Sequence, residues 1–258
     1  MGGMKKTVAA SALAVSLFGV VALSACSAEE VSDGKAEHRE FALQGKNLTV
    51  VSDDSKLELV PVKADGTGRS VDVTRWFKAS KVKGEAKASW SMEGGNTLRL
   101  TTKCTGFIVD CSTRHKVEVP EDVAVTVRGG DGHVVASGFR TPLSIRTHDG
   151  NVNVSDVTAP LTLRTGDGNV RAERLRSASV TATGRDGYQL LSFAEAPSSV
   201  RTDVRDGRTT VTVPKKSAYR VTTKTADGSA KVTVPRDAKA PRRVHATAHD
   251  GRVAVRGR

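Results

Sequence analysis

Residues 143–172 read LSIRTHDGNVNVSDVTAPLTLRTGDGNVRA, and this stretch decides the fold because it contains nearly two copies of one unit. In each copy an Asp-Gly pair separates two short segments of alternating apolar and polar residues. In the first copy the apolar positions are Leu143 and Ile145 before the pair, and Val152 and Val154 after it. Alternation with a period of two is typical of half-buried strands. The unit therefore predicts a strand, a tight turn and a second strand.

The same unit recurs through the second half of the chain. The Asp-Gly pairs begin at Asp131, Asp149, Asp167, Asp186, Asp206, Asp227 and Asp250, at intervals of 18, 18, 19, 20, 21 and 23 residues. Apolar residues occupy most positions six and four before each Asp, and three and five after it. Such self-similarity is typical of repeat proteins, whose units stack on one another. Asp can bond its own backbone in a turn and Gly tolerates a positive φ, which accounts for the pair.

Two architectures fit this pattern. In a β-solenoid each unit is one coil, and equivalent residues stack about 4.8 Å apart. In an antiparallel meander each Asp-Gly pair closes an ordinary hairpin. Aligned columns of similar residues favour the solenoid, although Asp-Gly suits either turn. We therefore predict an all-β, single-domain, solenoid-like repeat array, with an antiparallel β meander as the alternative.

The start of the chain has the features of an export signal. Residues 1–25 contain a basic Lys5-Lys6 pair and an apolar run that is short for a membrane span. The run ends in Leu23-Ser24-Ala25-Cys26, which resembles the lipobox cut by bacterial lipoprotein signal peptidase. In that resemblance the cut precedes Cys26, whose thiol carries a diacylglycerol. The alternative is an ordinary secretory signal that is cut elsewhere.

The remaining chain divides by pattern. Residues 26–45 are polar and lack a period, so we expect a flexible tether. Residues 46–258 form the predicted β-solenoid domain. Within it, residues 46–116 are an N-terminal β segment and residues 117–258 carry the Asp-Gly repeats.

Two cysteines remain after Cys26. Cys104 and Cys111 lie seven residues apart in a chain expected outside the cytoplasm, which favours a structural disulfide in the N-terminal β segment. Zinc is a weaker alternative, because the two thiols and nearby His115 leave one ligand missing. The spacing is also not the Cys-x-x-Cys of redox catalysis.

The chain is strongly basic, with a formal net charge of +12. Removal of residues 1–25 leaves 38 basic and 28 acidic residues, and hence a net charge of +10. This charge favours anionic lipid headgroups or phosphate-rich wall polymers as partners. Nucleic acid is not expected outside the cytoplasm, and an aromatic content of 4% leaves few platforms for base stacking. A solvated basic surface with no partner is the alternative.

The chain resembles the bacterial putative-adhesin family of β-solenoid domains, a family of unknown function. The resemblance rests on repeated Asp-Gly-x-Val-x-Val turns, on Val117-Glu118-Val119-Pro120 before the repeats, and on Val211-Thr212-Val213-Pro214 within them. The stretch from Ser89 to Ser112, with its paired cysteines, is similar to lipoprotein members. The resemblance implies an envelope-associated solenoid without an established enzymatic activity, and it supplies no catalytic residues.

Catalytic and metal-binding chemistry finds little support. Every repeated Asp precedes a Gly at a turn, so turn formation explains the Asp column without a catalytic pair. His148 and His249 lie several units apart and His133 occupies another column, so these histidines are not expected to share a metal. We predict no catalytic residue, no metal and no cofactor.

One constellation of residues points to binding. Arg128, Arg146 and Arg164 stand three residues before the Asp in successive repeats, and Lys224 does so in a later one. Stacked coils would align these side chains into a basic column, and guanidinium groups pair well with phosphate and carboxylate. This predicts an anion-binding stripe. The alternative is that the arginines only offset the neighbouring Asp column.

The function predicted from the sequence is that of a non-enzymatic, lipid-anchored extracytoplasmic protein. It would bind or scaffold at the cell envelope, adhesin-like, through an anionic polymer, lipid headgroups or a partner protein. One alternative is an envelope-stress sensor arm that acts through a protein partner. A second alternative is an enzyme that cleaves polysaccharide.

Overall fold

The computed structural model describes residues 29–63 and 69–258, and regular structure in these residues is β-strand throughout. The strands are β1 (Glu29–Ala42), β2 (Asn47–Ser52), β3 (Lys56–Val62), β4 (Ser70–Glu93), β5 (Thr97–Pro120), β6 (Ala124–Gly129), β7 (Val134–Ser137), β8 (Leu143–Arg146), β9 (Val152–Ser155), β10 (Leu161–Arg164), β11 (Val170–Leu175), β12 (Ser179–Phe193), β13 (Ser199–Val213), β14 (Arg220–Thr233) and β15 (Arg243–Gly257). The all-β prediction is confirmed.

The Asp-Gly repeats stack as parallel coils. β6, β8 and β10 lie side by side in register, so that Val125 pairs with Leu143 and Leu143 pairs with Leu161. β7, β9 and β11 form a second parallel ladder on the other side of the turns. A two-residue hairpin joins only antiparallel strands, so these repeats cannot be a meander. The predicted β-solenoid is confirmed.

The two ladders continue through the later coils as longer strands. β12, β13, β14 and β15 each run without a break through their Asp-Gly pair. Asp186 pairs with Asp206, and Gly187 with Gly207, in the same parallel register as the flanking residues.

The core consists of narrow files of small apolar side chains. In each coil the alternating residues of both strands point inward, and equivalent side chains stack at the strand spacing of about 4.8 Å. The buried file of the first ladder contains Leu48, Val125, Leu143, Leu161, Val180, Val200 and Val244. The buried file of the second contains Leu59, Ala136, Val154, Ala172, Leu191, Val211 and Val255. Because these files are thin, few aromatic residues are needed to fill them.

An eighth coil precedes the seven that the Asp-Gly pairs predict. β2 and β3 are joined by Asp53 and Asp54, and they pair in parallel with β6 and β7. Leu48 and Leu57 occupy the positions six before and three after Asp54, in the same register as the repeats. The coil lacks the Asp-Gly pair because Ser55 stands where the later coils have glycine.

The order of the last two coils differs from their order along the chain. β15 lies between β13 and β14, so Asp250 pairs with Asp206 on one side and with Asp227 on the other. β14 is therefore the end of the stack. The longest connection between repeats, residues 234–242, leads from β14 back to β15 and allows this step.

The glycine of each pair is required by close packing between coils. A Cβ on Gly150 would lie 2.0 Å from the carbonyl oxygen of Gly132, and one on Gly168 would lie 2.1 Å from that of Gly150. Among the glycines of the seven pairs, only Gly187 has a positive φ, at 94°. The explanation of these glycines by a positive φ is therefore wrong for the other six, because the backbone of the adjacent coil imposes the constraint.

The opposite end of the stack is closed by three antiparallel strands. β5 pairs in parallel with β2 and β3, β4 pairs antiparallel with β5, and β1 pairs antiparallel with β4. We call β1, β4 and β5 the cap. The structure here differs from the flexible tether expected over residues 26–45, because Glu29–Ala42 is an outer strand. This strand shows no apolar period because most of its side chains from Lys35 onward face solvent.

Cys104 and Cys111 form a disulfide within β5, with their Cα atoms 6.6 Å apart. The predicted signal peptide, residues 1–25, and the predicted lipidation site Cys26 lie outside the described residues. Among the described residues, no helix is long and apolar enough to cross a membrane.

Candidate anion-binding groove

Three of the four residues in the predicted basic column are neighbours in the structure. Arg128 pairs in register with Arg146, and Arg146 with Arg164, at the ends of β6, β8 and β10. All three side chains are exposed. The parallel register fixes their spacing at about 4.8 Å per coil. The predicted stripe is therefore a row of three arginines on one face.

Lys224 lies elsewhere. It is on the end strand β14, where it pairs with Thr247. The same column continues from Arg164 through Thr183, Asp203 and Thr247 before it reaches Lys224. Lys224 thus occupies the predicted column but is separated from the arginine row by three coils.

The arginine row lines a groove of about 750 Å³. The lining is basic and polar, and contains Arg128, Gly129, Arg146, Thr147, His148, Arg164, Thr165, Gly166, Thr183 and Arg185. No carboxylate belongs to this described lining. The hydroxyl of Thr165 is buried and has no hydrogen-bond partner among the described residues. The groove therefore offers several donors to an anion, while the nearest carboxylates, Asp131, Asp149 and Asp167, lie at its edge against His148 and Arg185.

The carboxylates of the turn column have other partners. Oδ1 of Asp54 accepts from the backbone amide of Asp131 at 3.2 Å, and Oδ1 of Asp131 accepts from the amide of Asp149 at 3.3 Å. Oδ1 of Asp149 accepts from the amide of Asp167 at 3.2 Å. Each aspartate thus connects its coil to the next, which gives the Asp column a structural function.

Arg185 neutralises the last carboxylate of this ladder. Its Nε and Nη2 donate to Asp167 at 2.6 and 2.7 Å, and this pair holds the pKa of the Asp167 carboxyl below its usual range. In contrast, Arg128, Arg146 and Arg164 form no ion pair with any carboxylate in the described part of the chain. Charge compensation of the Asp column therefore does not explain the arginine row.

Three other arginines near these coils are paired with acids. Nε of Arg171 donates to Glu173 at 2.8 Å, and Nε of Arg174 donates to Asp156 at 2.9 Å. Arg176 lies 3.5 Å from Glu195. The arginine row differs from these residues in having all of its guanidinium groups available.

His133, His148 and His249 do not come together at one site. However, His148 and His249 each contact carboxylates. Nδ1 of His148 lies 3.3 Å from Asp131 and 3.1 Å from Asp149. His249 forms the same arrangement with Asp206 and Asp250, because β15 stacks on β13. Each triplet offers three ligand atoms within 4.8 Å of one another to a cation. The sequence does not reveal these triplets because the two carboxylates of each triplet come from different coils.

Comparison with known proteins identifies a family. The family model described as Toastrack DUF4097 matches residues 26–256. No curated protein matches the chain.

Several solved structures are similar over most of their length. A putative lipid binding protein from Parabacteroides distasonis is 13% identical with a TM-score of 0.48, over 88% of this chain and 98% of that one. A putative adhesin from Bacteroides fragilis is 11% identical with a TM-score of 0.46, over 87% and 97%. A putative cell adhesion protein from Clostridium sporogenes is 12% identical with a TM-score of 0.38, over 87% and 99%.

Proposed function

The chain belongs to the Toastrack DUF4097 family, and we propose that it is a lipid-anchored extracytoplasmic protein whose solenoid binds an anionic component of the cell envelope without catalysis. The arginine row of Arg128, Arg146 and Arg164 carries this proposal. It combines regular spacing, exposure and the lack of an acidic partner among the described residues.

The chemistry of the row favours a polymer or surface with repeated negative charges. Each guanidinium can donate two parallel hydrogen bonds to a phosphate or carboxylate. A row that rises by one coil per arginine can contact successive charges along an extended polyanion. We therefore expect a phosphate-rich wall polymer or lipid headgroups as the ligand.

Polysaccharide cleavage has less support from the same groove. Glycoside hydrolysis generally requires two carboxyl groups on either side of the scissile bond. The described lining of the groove contains arginine, histidine, threonine and glycine instead. The nearby aspartates bond backbone amides of the next coil, as a structural residue does.

Charge reversal of the whole row tests the binding site. Replacement of Arg128, Arg146 and Arg164 by Glu should weaken binding to a glycerol-phosphate polymer on the order of 100-fold at low salt, at about 1 kcal/mol per arginine. Titration calorimetry at two salt concentrations measures the effect, which should shrink as salt screens the charges. Unchanged binding of the triple variant at low salt would contradict the proposal.

A matched control has the same change in net charge at another place. Arg201, Arg208 and Arg252 are exposed arginines on β13 and β15. Their replacement by Glu also changes the charge by six units but leaves the groove intact. We expect this control to lose much less affinity than the groove variant. An equal loss in both would mean that net charge alone governs binding.

The proposed anchor has its own test. Cys26→Ala should move the protein from the membrane fraction to the soluble fraction after cell fractionation, because it removes the thiol that would carry the lipid. Labelling with a radioactive fatty acid should also disappear in this variant. Retention of the variant in membranes would refute the anchor and leave the groove untouched.

A further inference from the structure

The two long strands of the cap leave the solenoid at one corner. Thr97–Leu100 of β5 pairs with β2, and Arg114–Pro120 pairs with β3. β2 and β3 are separated by three residues, whereas the corresponding parts of β5 are separated by 13 residues, 101–113. These extra residues pair only with β4, so the two strands project together beyond the stack.

The end of this projection contains a close backbone contact and the disulfide. Gly84 of β4 lies opposite Gly106 of β5, and a Cβ on Gly84 would be 1.9 Å from the carbonyl oxygen of Thr105. The disulfide between Cys104 and Cys111 closes the β5 side of the same region. We call residues 81–84 together with residues 104–111 the tip. The tip thus contains a close backbone contact and a cross-link, and none of its described side chains belongs to the apolar core.

The tip exposes apolar side chains. Phe107 is 73% exposed, the highest value among the large hydrophobic residues of the described part of the chain, and Val82 is 40% exposed. Exposed apolar groups gathered at a projecting point are typical of surfaces that contact a membrane or another protein.

Basic residues surround these apolar groups. Lys81 and Lys83 belong to the tip, and Lys87 and Lys103 lie beside it on β4 and β5. Two acids of the same region are paired with lysines, Glu85 with Lys103 at 3.9 Å and Asp110 with Lys78 at 3.7 Å. An exposed aromatic residue flanked by Lys81 and Lys83 suits a bilayer with anionic headgroups, because the ring enters the interface while the ammonium groups stay at the headgroups.

The start of the mature chain reaches the same place. β1 runs antiparallel to β4 with Glu29 opposite Lys81, at the strand spacing of about 5 Å. Cys26 precedes Glu29 by three residues, so it can lie at most about 11 Å further away. A lipid on Cys26 would therefore hold the tip against the membrane. The argument from the position of Cys26 rests on the proposed lipid anchor. The arguments from the composition and shape of the tip do not.

We propose that the tip is a second membrane contact, which docks on an anionic lipid surface by inserting Phe107 into the interface and placing Lys81 and Lys83 on the headgroups. A diacylglycerol on Cys26 has two acyl chains and already suffices for stable attachment, so the second contact would set how the protein is oriented on the membrane.

The test uses the mature chain from residue 26 with Cys26→Ser, so that no lipid contributes to binding. Its partition is measured by sedimentation with vesicles of phosphatidylglycerol and phosphatidylcholine, and with vesicles of phosphatidylcholine alone. We expect binding to the anionic vesicles only. Phe107→Ser should weaken it about tenfold, as expected for loss of a buried aromatic ring, and Lys81→Glu with Lys83→Glu should weaken it by more.

Tyr188→Ser is the matched control, because Tyr188 is a 40% exposed aromatic residue on the distant strand β12. It should leave vesicle binding unchanged. The tip proposal is overturned if Phe107→Ser behaves as this control does, or if phosphatidylcholine alone binds equally well. It is also overturned if Phe107→Ser abolishes a dimer seen by light scattering, since a second copy then occupies the tip.

The groove variant distinguishes the two proposals. If charge reversal of Arg128, Arg146 and Arg164 removes vesicle binding and Phe107→Ser does not, the groove is the lipid site and the tip is refuted. If Phe107→Ser alone weakens vesicle binding, the tip is supported whatever the ligand of the groove. Loss of polymer binding in the groove variant leaves the tip result unaffected.

Discussion

The two ends of the solenoid differ in how the apolar core of the outermost coil is covered. At the cap end, the long strands β4 and β5 cover the first coil, and inward residues such as Val73 and Val117 are fully buried. At the other end, β14 has no strand beyond it. Its inward residues Val221 and Val232 are only half-buried and Ala230 is exposed. A parallel repeat cannot close its own end, so closure requires a segment that departs from the repeat.

The open end is protected by charge instead of cover. Arg220, Lys224, Asp227 and Lys231 are exposed along β14. Charged residues on an edge strand oppose pairing with further strands, and this is how many native sheets avoid edge-to-edge association. The comparison indicates that stability is concentrated towards the cap and that β14 is the most easily detached coil.

The largest effect expected from this difference concerns the glycine column. Gly150→Ala should lower the free energy of unfolding by about 3 kcal/mol, because the new methyl group meets the carbonyl of Gly132 and coils on both sides resist movement. Gly228→Ala creates the same clash, with the carbonyl of Gly251 at 1.9 Å. However, β14 can move away freely, so we expect a loss of only about 1 kcal/mol.

Chemical denaturation of both variants measures the two losses, with hydrogen exchange showing where each acts. Gly150→Ala should speed exchange on β7, β9 and β11, whereas Gly228→Ala should speed it on β14 alone. Equal losses in the two variants would break the comparison, since they would show that the end coil is held as firmly as an internal one. The first coil has Ser55 at the position of these glycines. A side chain is tolerated there because the adjacent part of β5, residues 101–113, leaves the stack, so no neighbouring turn lies against it.

Much of the fold followed from the sequence because the Asp-Gly column repeats the contacts between coils. The first coil was missed because Ser55 breaks that column. The position of β15 was missed because a stacked column has the same composition whatever the order of its coils. The sequence predicts a tether instead of β1 because, from Lys35 to Ala42, only Phe41 is buried and no period appears.

The candidate groove was only partly visible in the sequence. The spacing of Arg128, Arg146 and Arg164 predicted their alignment, because parallel coils in register place equivalent residues together. It could not show that Arg185 would neutralise Asp167 and leave the row unpaired. Thr147 and Thr165 do share one column, two residues before Asp, and this signal could have added them to the site.

A smaller effect, on pH dependence, should arise mainly at the cap end. His115 of β5 is fully buried, with Nδ1 3.0 Å from the hydroxyl of Ser55, and Nε2 has no partner among the described residues. Burial, helped by the charge of Arg75, lowers the pKa of His115 to about 4. The unfolded chain therefore binds a proton below pH 6.5 that the folded chain does not take up until about pH 4.

The sign of the effect follows from this difference. The stability contributed by neutral His115 is complete above pH 6.5 and is lost as the pH falls towards 4, by about 2 kcal/mol between pH 7 and pH 4.5. Denaturation at the two pH values measures it, and His115→Asn should remove most of the difference. His249→Gln, at an exposed histidine of the far end, should leave it intact. A pH difference that persists in His115→Asn would show that the cap end is not the source.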